Sequence, residues 1–298
     1  MGFFIEVLFG GFLAGVLYAL VALGFVLIFK ASGVFNFAQG AMVLFAALSL
    51  VRLMEWMPIP IALLVSVGIM IVFALVVERL VLRPLVNQEG IILFMATIGV
   101  SYFVDGFGQT IWGSEIYTLD LGLPKEPVII LESVFEGGVL VNKFDLVAAV
   151  IAGILVTVLA VFFQKTRIGR ALRAVADDHQ AAQSVGIPLR DIWVIVWSTS
   201  GIVALVAGIV WGSALGVQFS ISLVALKALP VLILGGFTSV PGAIIGGLII
   251  GAGEKLAEVF IGPSFGGGIE NWFAYMLALL FLLVRPQGLF GERIIERV

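Results

Sequence analysis

Long apolar runs, separated by short polar or glycine-bearing breaks, fill this chain from its first residues almost to its last. A helix that crosses the hydrocarbon layer needs about 20 predominantly apolar residues. That template fits Glu6–Phe29, Phe37–Leu53, Ile61–Val77 and Ile91–Ile111 ahead of a polar stretch from Trp112 to Phe144. Beyond it come Asp145–Phe163, Ile192–Val217, Ile221–Leu234, Gly242–Phe260 and Asn271–Val284, so eight or nine crossings are predicted. Phe37–Leu53 and Ile221–Leu234 are short and bounded by glycine or polar residues, which predicts half-helices or broken helices. The first run is too long for a cleaved signal peptide and lacks a basic front, so it reads as a retained span.

Composition agrees with the pattern. Hydrophobic residues make up 61% of the chain and charged ones 12%, with a mean hydropathy of +1.21, far above the roughly 45 to 50% apolar content of a soluble domain. The expectation is an all-α polytopic membrane protein forming one transmembrane domain. There is no cysteine and only one histidine, His179, so neither a thiolate nor a histidine metal site can be assembled. No basic face for nucleic acid is visible. The phosphate-cradling pattern of Gly, four residues, Gly, Lys and Ser or Thr is absent, as are the metalloprotease and serine hydrolase motifs, so an enzyme reading finds no support.

Charge then sets orientation. Lys165, Arg167, Arg170, Arg173 and Arg190 crowd the segment Gln164–Asp191, Arg79 and Arg83 follow the third run, and Arg285, Arg293 and Arg297 close the chain; such loops stay in the cytoplasm. Glu115, Asp120, Glu126, Glu132, Glu136 and Asp145 outnumber Lys125 and Lys143 between Trp112 and Asp145, which places that loop outside. The two assignments flank a single span. Counting away from it puts the amino terminus outside and the carboxyl terminus in the cytoplasm.

The segment Gln164–Asp191 is the one long stretch that is polar, cationic and helical in pattern. Ala171, Ala174, Asp178 and Ala181 recur at spacings of three and four, giving one helix stripe without bulk that a partner can approach closely. Gly186 is placed to end the helix in a left-handed cap, with Pro188 preventing continuation. The alternative is a helix lying on lipid with its arginines on phosphates, although such helices bring bulky apolar anchors where this stripe offers alanine.

Here the residues carry a resemblance. GRALRAVADDHQAAQSVGI, from Gly169 to Ile187, resembles the cytoplasmic coupling segment of permeases of the branched-chain amino acid family of ABC importers. Asn36-Phe37-Ala38-Gln39-Gly40, GGFTSVPGAIIGGLIIG from Gly235 to Gly251 and RPQGLFG from Arg285 to Gly291 are similar to that family's other signatures, in the same order. One departure is Thr238, where a further glycine is more usual. The resemblance spans essentially the whole chain and implies a type II-like ABC importer permease in the inner membrane, with some of its helices short or broken. It implies that Arg170, Arg173, Ala174, Asp177, Ala181, Ala182 and Gly186 face an ATPase subunit, which would bind the ATP and magnesium that this chain does not. It further implies a second permease chain, identical or homologous, an extracytoplasmic solute-binding protein, and a branched-chain or related hydrophobic amino acid as cargo. The alternative cargo is urea or a short amide, taken by an ABC permease or a passive amide channel; such a channel would carry a second asparagine-ended half-helix, which Ser239-Val240-Pro241 does not supply. An ion-driven transporter would need buried carboxylates and no docking helix.

For the translocation path the candidates are Asn36, Gln39, Gly235, Gly236, Ser239 and Gly242. The amides could hydrogen-bond a polar solute or satisfy backbone groups freed at a break. The glycines could line a path or simply let helices pack closely. A short echo, Gln39-Gly40-Ala41-Met42-Val43 against Pro241-Gly242-Ala243-Ile244-Ile245, hints at an internal repeat. Asp105, Lys227, Glu254 and Lys255 are ionisable residues near membrane depth, either a charged path or interface positions.

Overall fold

The structure is a computed structural model that describes residues 2–85, 88–130, 138–177 and 179–291, without the side chains of 177, 179 and 180. Each of the nine apolar runs is helical. They form α1 (Gly2–Ser32), α2 (Gln39–Met54), α3 (Ile59–Val77), α4 (Gly90–Trp112), α5 (Lys143–Lys165), α8 (Leu189–Leu215), α9 (Val224–Gly235), α10 (Val240–Phe260) and α11 (Glu270–Val284). The polar segment supplies α6 (Arg167–Asp177) and α7 (His179–Ser184), and a hairpin of β1 (Pro127–Ile130) and β2 (Val139–Asn142) precedes α5.

Among the described residues, five helices are long and apolar enough to cross a membrane: α1, α3 with its continuation to Leu85, α4, α5 and α8. The helical run Phe219–Gly235 meets α10 at 113°, and α2 and α11 are shorter apolar helices. Helix boundaries follow local chemistry. Pro60 sits in the first turn of α3 and Pro241 in that of α10, where a missing N–H costs nothing. Gly113, at φ 76°, closes α4.

Two compact units are present. One comprises residues 23–121 and 155–225, the other 1–22, 122–154 and 226–298. The first is built around α2, which packs on α3, α4 and α8. With 16 residues, α2 is about 24 Å long and falls short of the roughly 30 Å hydrocarbon layer. It tolerates this because it is enclosed by protein, buried from Gln39 to Val51 apart from Phe45. Small residues admit the neighbours: a β-carbon on Gly208 of α8 would lie 2.7 Å from the Val43 carbonyl oxygen. By contrast α3, α4 and α5 are only 22%, 17% and 17% buried over their most apolar stretches, which leaves their Ile, Leu, Val and Phe side chains for lipid or a partner.

In the second unit α10 packs on α11, and α1 crosses α10 at glycines. Added β-carbons on Gly247 and Gly251 would lie 2.5 and 2.4 Å from the carbonyls of Gly15 and Gly11, so backbones touch where side chains usually separate helices. The hairpin pairs Val128 with Val141 and Ile129 with Leu140 in antiparallel register. Its inward Val139 and Val141 cluster with Leu13, Phe9 and Ile5 of α1.

Candidate functional site

The segment between α5 and α8 is folded onto the chain by its own side chains. Thr166 donates its hydroxyl to the Phe162 carbonyl at 2.6 Å and accepts from the Gly169 N–H at 3.1 Å, capping α6. Gly169 is required there, since a β-carbon would lie 1.9 Å from the Phe163 carbonyl oxygen. That same carbonyl accepts from Arg173 Nη1 at 2.7 Å. Leu172 and Val175 are buried, and α6 packs on α8. At the far end Ile187 N–H donates to the Ala182 carbonyl at 3.0 Å and Gly186 N–H to that of Gln183 at 2.9 Å, with Gly186 at φ 86°. This is the Schellman termination that glycine permits; Pro188 then precedes α8.

Of the residues expected on a partner-facing surface, Arg170, Arg173, Ala181 and Gly186 are exposed and Ala174 is half-buried. Ala182 is a correction: it is 2% exposed and packs into the chain. The Asp177 side chain lies outside the described residues. Val185, 76% exposed, joins the surface instead; it lies off the small-residue stripe, so the spacing of alanines does not point to it. The resulting face offers two guanidinium groups beside a bare apolar and glycine tip. Arg173 spends one of its five guanidinium donors on Phe163.

Asn36 and Gln39 sit in the other candidate region, at the break between α1 and α2, and both are fully buried. Asn36 accepts from the Ala38 N–H at 3.1 Å and donates to Gln39 Oε1 at 3.4 Å. Ser200 of α8 reaches Gln39 Oε1 at 2.8 Å and the Gly24 carbonyl at 3.1 Å. Thr97 of α4 accepts from the Phe37 N–H at 3.0 Å. Gln39 Nε2 has no hydrogen-bond partner among the described residues, and it lies where a β-carbon on Gly24 would be 2.0 Å away. The amides therefore serve the freed backbone and fasten α1, α2 and α8, leaving one buried donor unused.

Gly235, Gly236, Ser239 and Gly242 form the turn between α9 and α10. Ser239 Oγ accepts from the Gly242 N–H at 3.0 Å, capping α10. Gly242 is close enough to Gly235 that a β-carbon on it would lie 2.1 Å from the Gly235 carbonyl. RPQGLFG closes over the turn: Leu289 and Phe290 N–H groups donate to the Leu234 and Gly235 carbonyls at 2.8 and 3.2 Å. Two separately noted motifs are thus one packed element. Thr238 is half-exposed, so its side chain is accommodated without a glycine.

With this geometry in place, comparison with known proteins is informative. The family described as branched-chain amino acid transport system / permease component matches residues 7–285. The chain belongs to this family. It is 28% identical to the high-affinity branched-chain amino acid transport system permease protein LivH of Salmonella typhimurium strain LT2, covering 99% of this chain and 98% of that one. It is 29% identical to BraD of Pseudomonas aeruginosa, a permease protein of the same description, with the same coverage. With the probable LivH of Methanocaldococcus jannaschii it shares 28% identity over 92% of this chain and 89% of that one. Among solved structures it is similar to PsaBC from Streptococcus pneumoniae in complex with Fab, at 13% identity and a TM-score of 0.46, covering 92% of this chain and 89% of that one.

The match spans the break at Asn36, the α6–α7 segment and the α9–α10 turn of this permease-family chain. An additional polar cluster lies in its second unit. Lys227 is within 3.0 Å of Glu254 and 3.3 Å of Glu270, and Tyr18 donates to Glu254 at 2.9 Å. Sequence reading singled out Lys227 and Glu254 separately but not Tyr18 or Glu270, because the contacts join residues far apart in the chain.

Proposed function

We propose that this chain is the membrane-spanning permease subunit of an ATP-driven importer, moving branched-chain or related hydrophobic amino acids handed over by an extracytoplasmic binding protein. The observation that carries the reading is the unbroken family match over residues 7–285, together with relatives named for high-affinity branched-chain amino acid transport that align over nearly their full lengths. An ATPase subunit docks on the α6–α7 face through Arg170, Arg173, Ala174, Ala181, Val185 and Gly186, with Asp177 beside them. This face and the carboxyl terminus lie in the cytoplasm, and the Trp112–Asp145 stretch lies outside. A second permease chain, identical or homologous, completes the pore against the exposed helices.

The docking segment supports this role because it is tied to both flanking spans. The Phe163 carbonyl of α5 receives Arg173, and α6, with Leu172 and Val175 buried, packs on α8. A pull on α6 is passed to α5 and α8 without slack. Nucleotide binding biases a two-state equilibrium between inward- and outward-facing arrangements, and a shift from 1:99 to 99:1 takes about 5.5 kcal/mol of differential binding. The path is shaped where helices break, at Asn36 and Gln39 and at Gly235, Gly236, Ser239 and Gly242.

The test is reconstitution of the chain with its ATPase subunits, companion permease and binding protein in proteoliposomes. Leucine accumulates only with internal ATP, and excess urea leaves the uptake unchanged. Leucine flux in the absence of the ATPase, or urea displacing leucine, refutes the proposal.

A further inference from the structure

The charged cluster of the second unit is a ladder of alternating sign. Lys227 Nζ, in the first turn of α9, meets Glu254 Oε1 at 3.0 Å, Glu270 Oε1 at 3.3 Å and the Tyr18 hydroxyl at 3.4 Å; Lys255 Nζ meets Glu270 Oε2 at 3.3 Å. Two carboxylates and two ammonium groups balance. Exposure rises along the ladder, from 2% at Glu254 through 30% at Lys227 and Glu270 to 42% at Lys255. Asp145, at the start of α5, lies within electrostatic reach of Lys255. The cluster lies toward the end of the unit where α9 begins, α10 finishes and α11 starts. Glu254 is roughly 9 Å along α10 from that end, at 1.5 Å per residue.

Three observations separate this ladder from a structural brace. First, all four ammonium contacts to carboxylate or hydroxyl are 3.0 to 3.4 Å, longer than the roughly 2.7–2.9 Å of a tight charge-assisted bond such as Arg83 to Glu78 at 2.7 Å. Second, bonds outside the ladder already secure the elements. Pro230 has no N–H to offer the Leu226 carbonyl one turn back, and Tyr275 of α11 donates to that carbonyl instead at 2.7 Å. Glu258 holds the first turn of α11 by accepting from the Gly268 and Glu270 N–H groups at 2.7 and 2.9 Å. Third, charges carried on apolar helices are costly and mark solute paths, while a brace of this kind is often replaced by apolar packing without loss.

We infer that Lys227 and Glu270 bind the backbone zwitterion of the transported amino acid: its carboxylate takes the Lys227 ammonium and its ammonium takes Glu270, together displacing the one long ion pair between them. Glu254 and Tyr18 hold Lys227 from the buried side, and Lys255 holds Glu270 from the exposed side. The exchange leaves the cluster neutral whether the solute is present or absent. This inference builds on the reading of the chain as an amino-acid permease.

The decisive variant is Lys227→Met combined with Glu254→Gln, which removes one charge of each sign and leaves no carboxylate stranded. In the reconstituted complex we expect normal assembly and retained stimulation of ATP hydrolysis by leucine-loaded binding protein, with leucine uptake reduced roughly 10- to 100-fold, the loss of one charged contact. Uptake at the parental rate would show the ladder to be a brace only. A second measurement needs no variant: carbodiimide labelling of Glu270 in the parental complex, read by mass spectrometry, slows when leucine-loaded binding protein and ATP are present. Unchanged labelling overturns the assignment. Failure of the parental complex to accumulate leucine sinks the permease reading itself, whereas a fully active double variant sinks only the ligand site.

Discussion

Replacing Gly169 by alanine isolates the mechanical link between α5 and α6. The added β-carbon would stand 1.9 Å from the Phe163 carbonyl oxygen and 2.4 and 2.6 Å from its carbon and Cα, whereas an ordinary carbon–oxygen contact is about 3.3 Å. The carbonyl cannot yield freely, because Arg173 holds it at 2.7 Å and it belongs to the last turns of α5. Helix propensity favours alanine by up to about 1 kcal/mol, less in a first turn, while overpacking costs about 1–3 kcal/mol. The clash wins, and α6 leaves its seat by more than about 1 Å. A net loss of about 1.4 kcal/mol lowers the ratio of seated to unseated segments tenfold. We expect leucine uptake driven by ATP in proteoliposomes to fall about tenfold, with the melting temperature in detergent little changed, since α6 lies outside the membrane-spanning helices. Gly68→Ala is the control: no heavy atom lies within 4 Å of its added β-carbon, and uptake stays parental. Full uptake by Gly169→Ala refutes the idea that motion passes through this contact.

Because the chain has no cysteine, single cysteines report surfaces directly. Cysteine at Arg170, Ala181 or Val185 reacts with a membrane-impermeant maleimide from the cytoplasmic side and is shielded by bound ATPase, while Ala182→Cys stays unlabelled; equal labelling of all four refutes the assigned face. Ser200→Ala strips Gln39 of its 2.8 Å partner and frees the Gly24 carbonyl; about 1 kcal/mol of stability is lost, seen as a lower melting temperature in detergent. Gly251→Leu drives a side chain into the Gly11 and Gly15 backbones, 2.4 Å from the new β-carbon; it costs at least about 1–3 kcal/mol, and the yield of folded complex drops.

Every membrane-length run was legible because the template is long and one-dimensional, and α2 was legible despite its shortness because Gln39–Gly40 marks its start. The hairpin was not found, although Pro127-Val128-Ile129-Ile130 and Val139-Leu140-Val141-Asn142 flank the Gly137–Gly138 pair with β-branched residues, a strand signal hidden by attention to loop charge. In the α6–α7 segment the end at Gly186 was legible, since a left-handed cap followed by proline is a local rule. Which face turns inward was less visible: Leu172 and Val175 are buried on α6, which packs on α8, and Ala182 is buried on α7. The partners of Lys227 lie 209, 27 and 43 positions away, beyond the reach of any periodicity.

The echo between Gln39–Val43 and Pro241–Ile245 acquires a physical basis. Both stretches open a helix after a break, and each carries a glycine that lets a carbonyl come closer than any side chain would allow: Ser222 at 2.0 Å from a β-carbon placed on Gly40, Gly235 at 2.1 Å from one on Gly242. What closes the break differs. At Gly40 it is side-chain amides and hydroxyls, Asn36, Gln39, Thr97 and Ser200; at Gly242 it is backbone, the carbonyls of Leu234 and Gly235 taking the amides of Leu289 and Phe290. The Ser239 hydroxyl adds a side-chain cap at the second break, and at the first the amide closure leaves Gln39 Nε2 without a partner among the described residues. An unsatisfied buried donor costs about 1–3 kcal/mol, a cost that the α1–α2 break carries at Gln39 and that the bonds at Gly242 do not incur through Leu289 and Phe290.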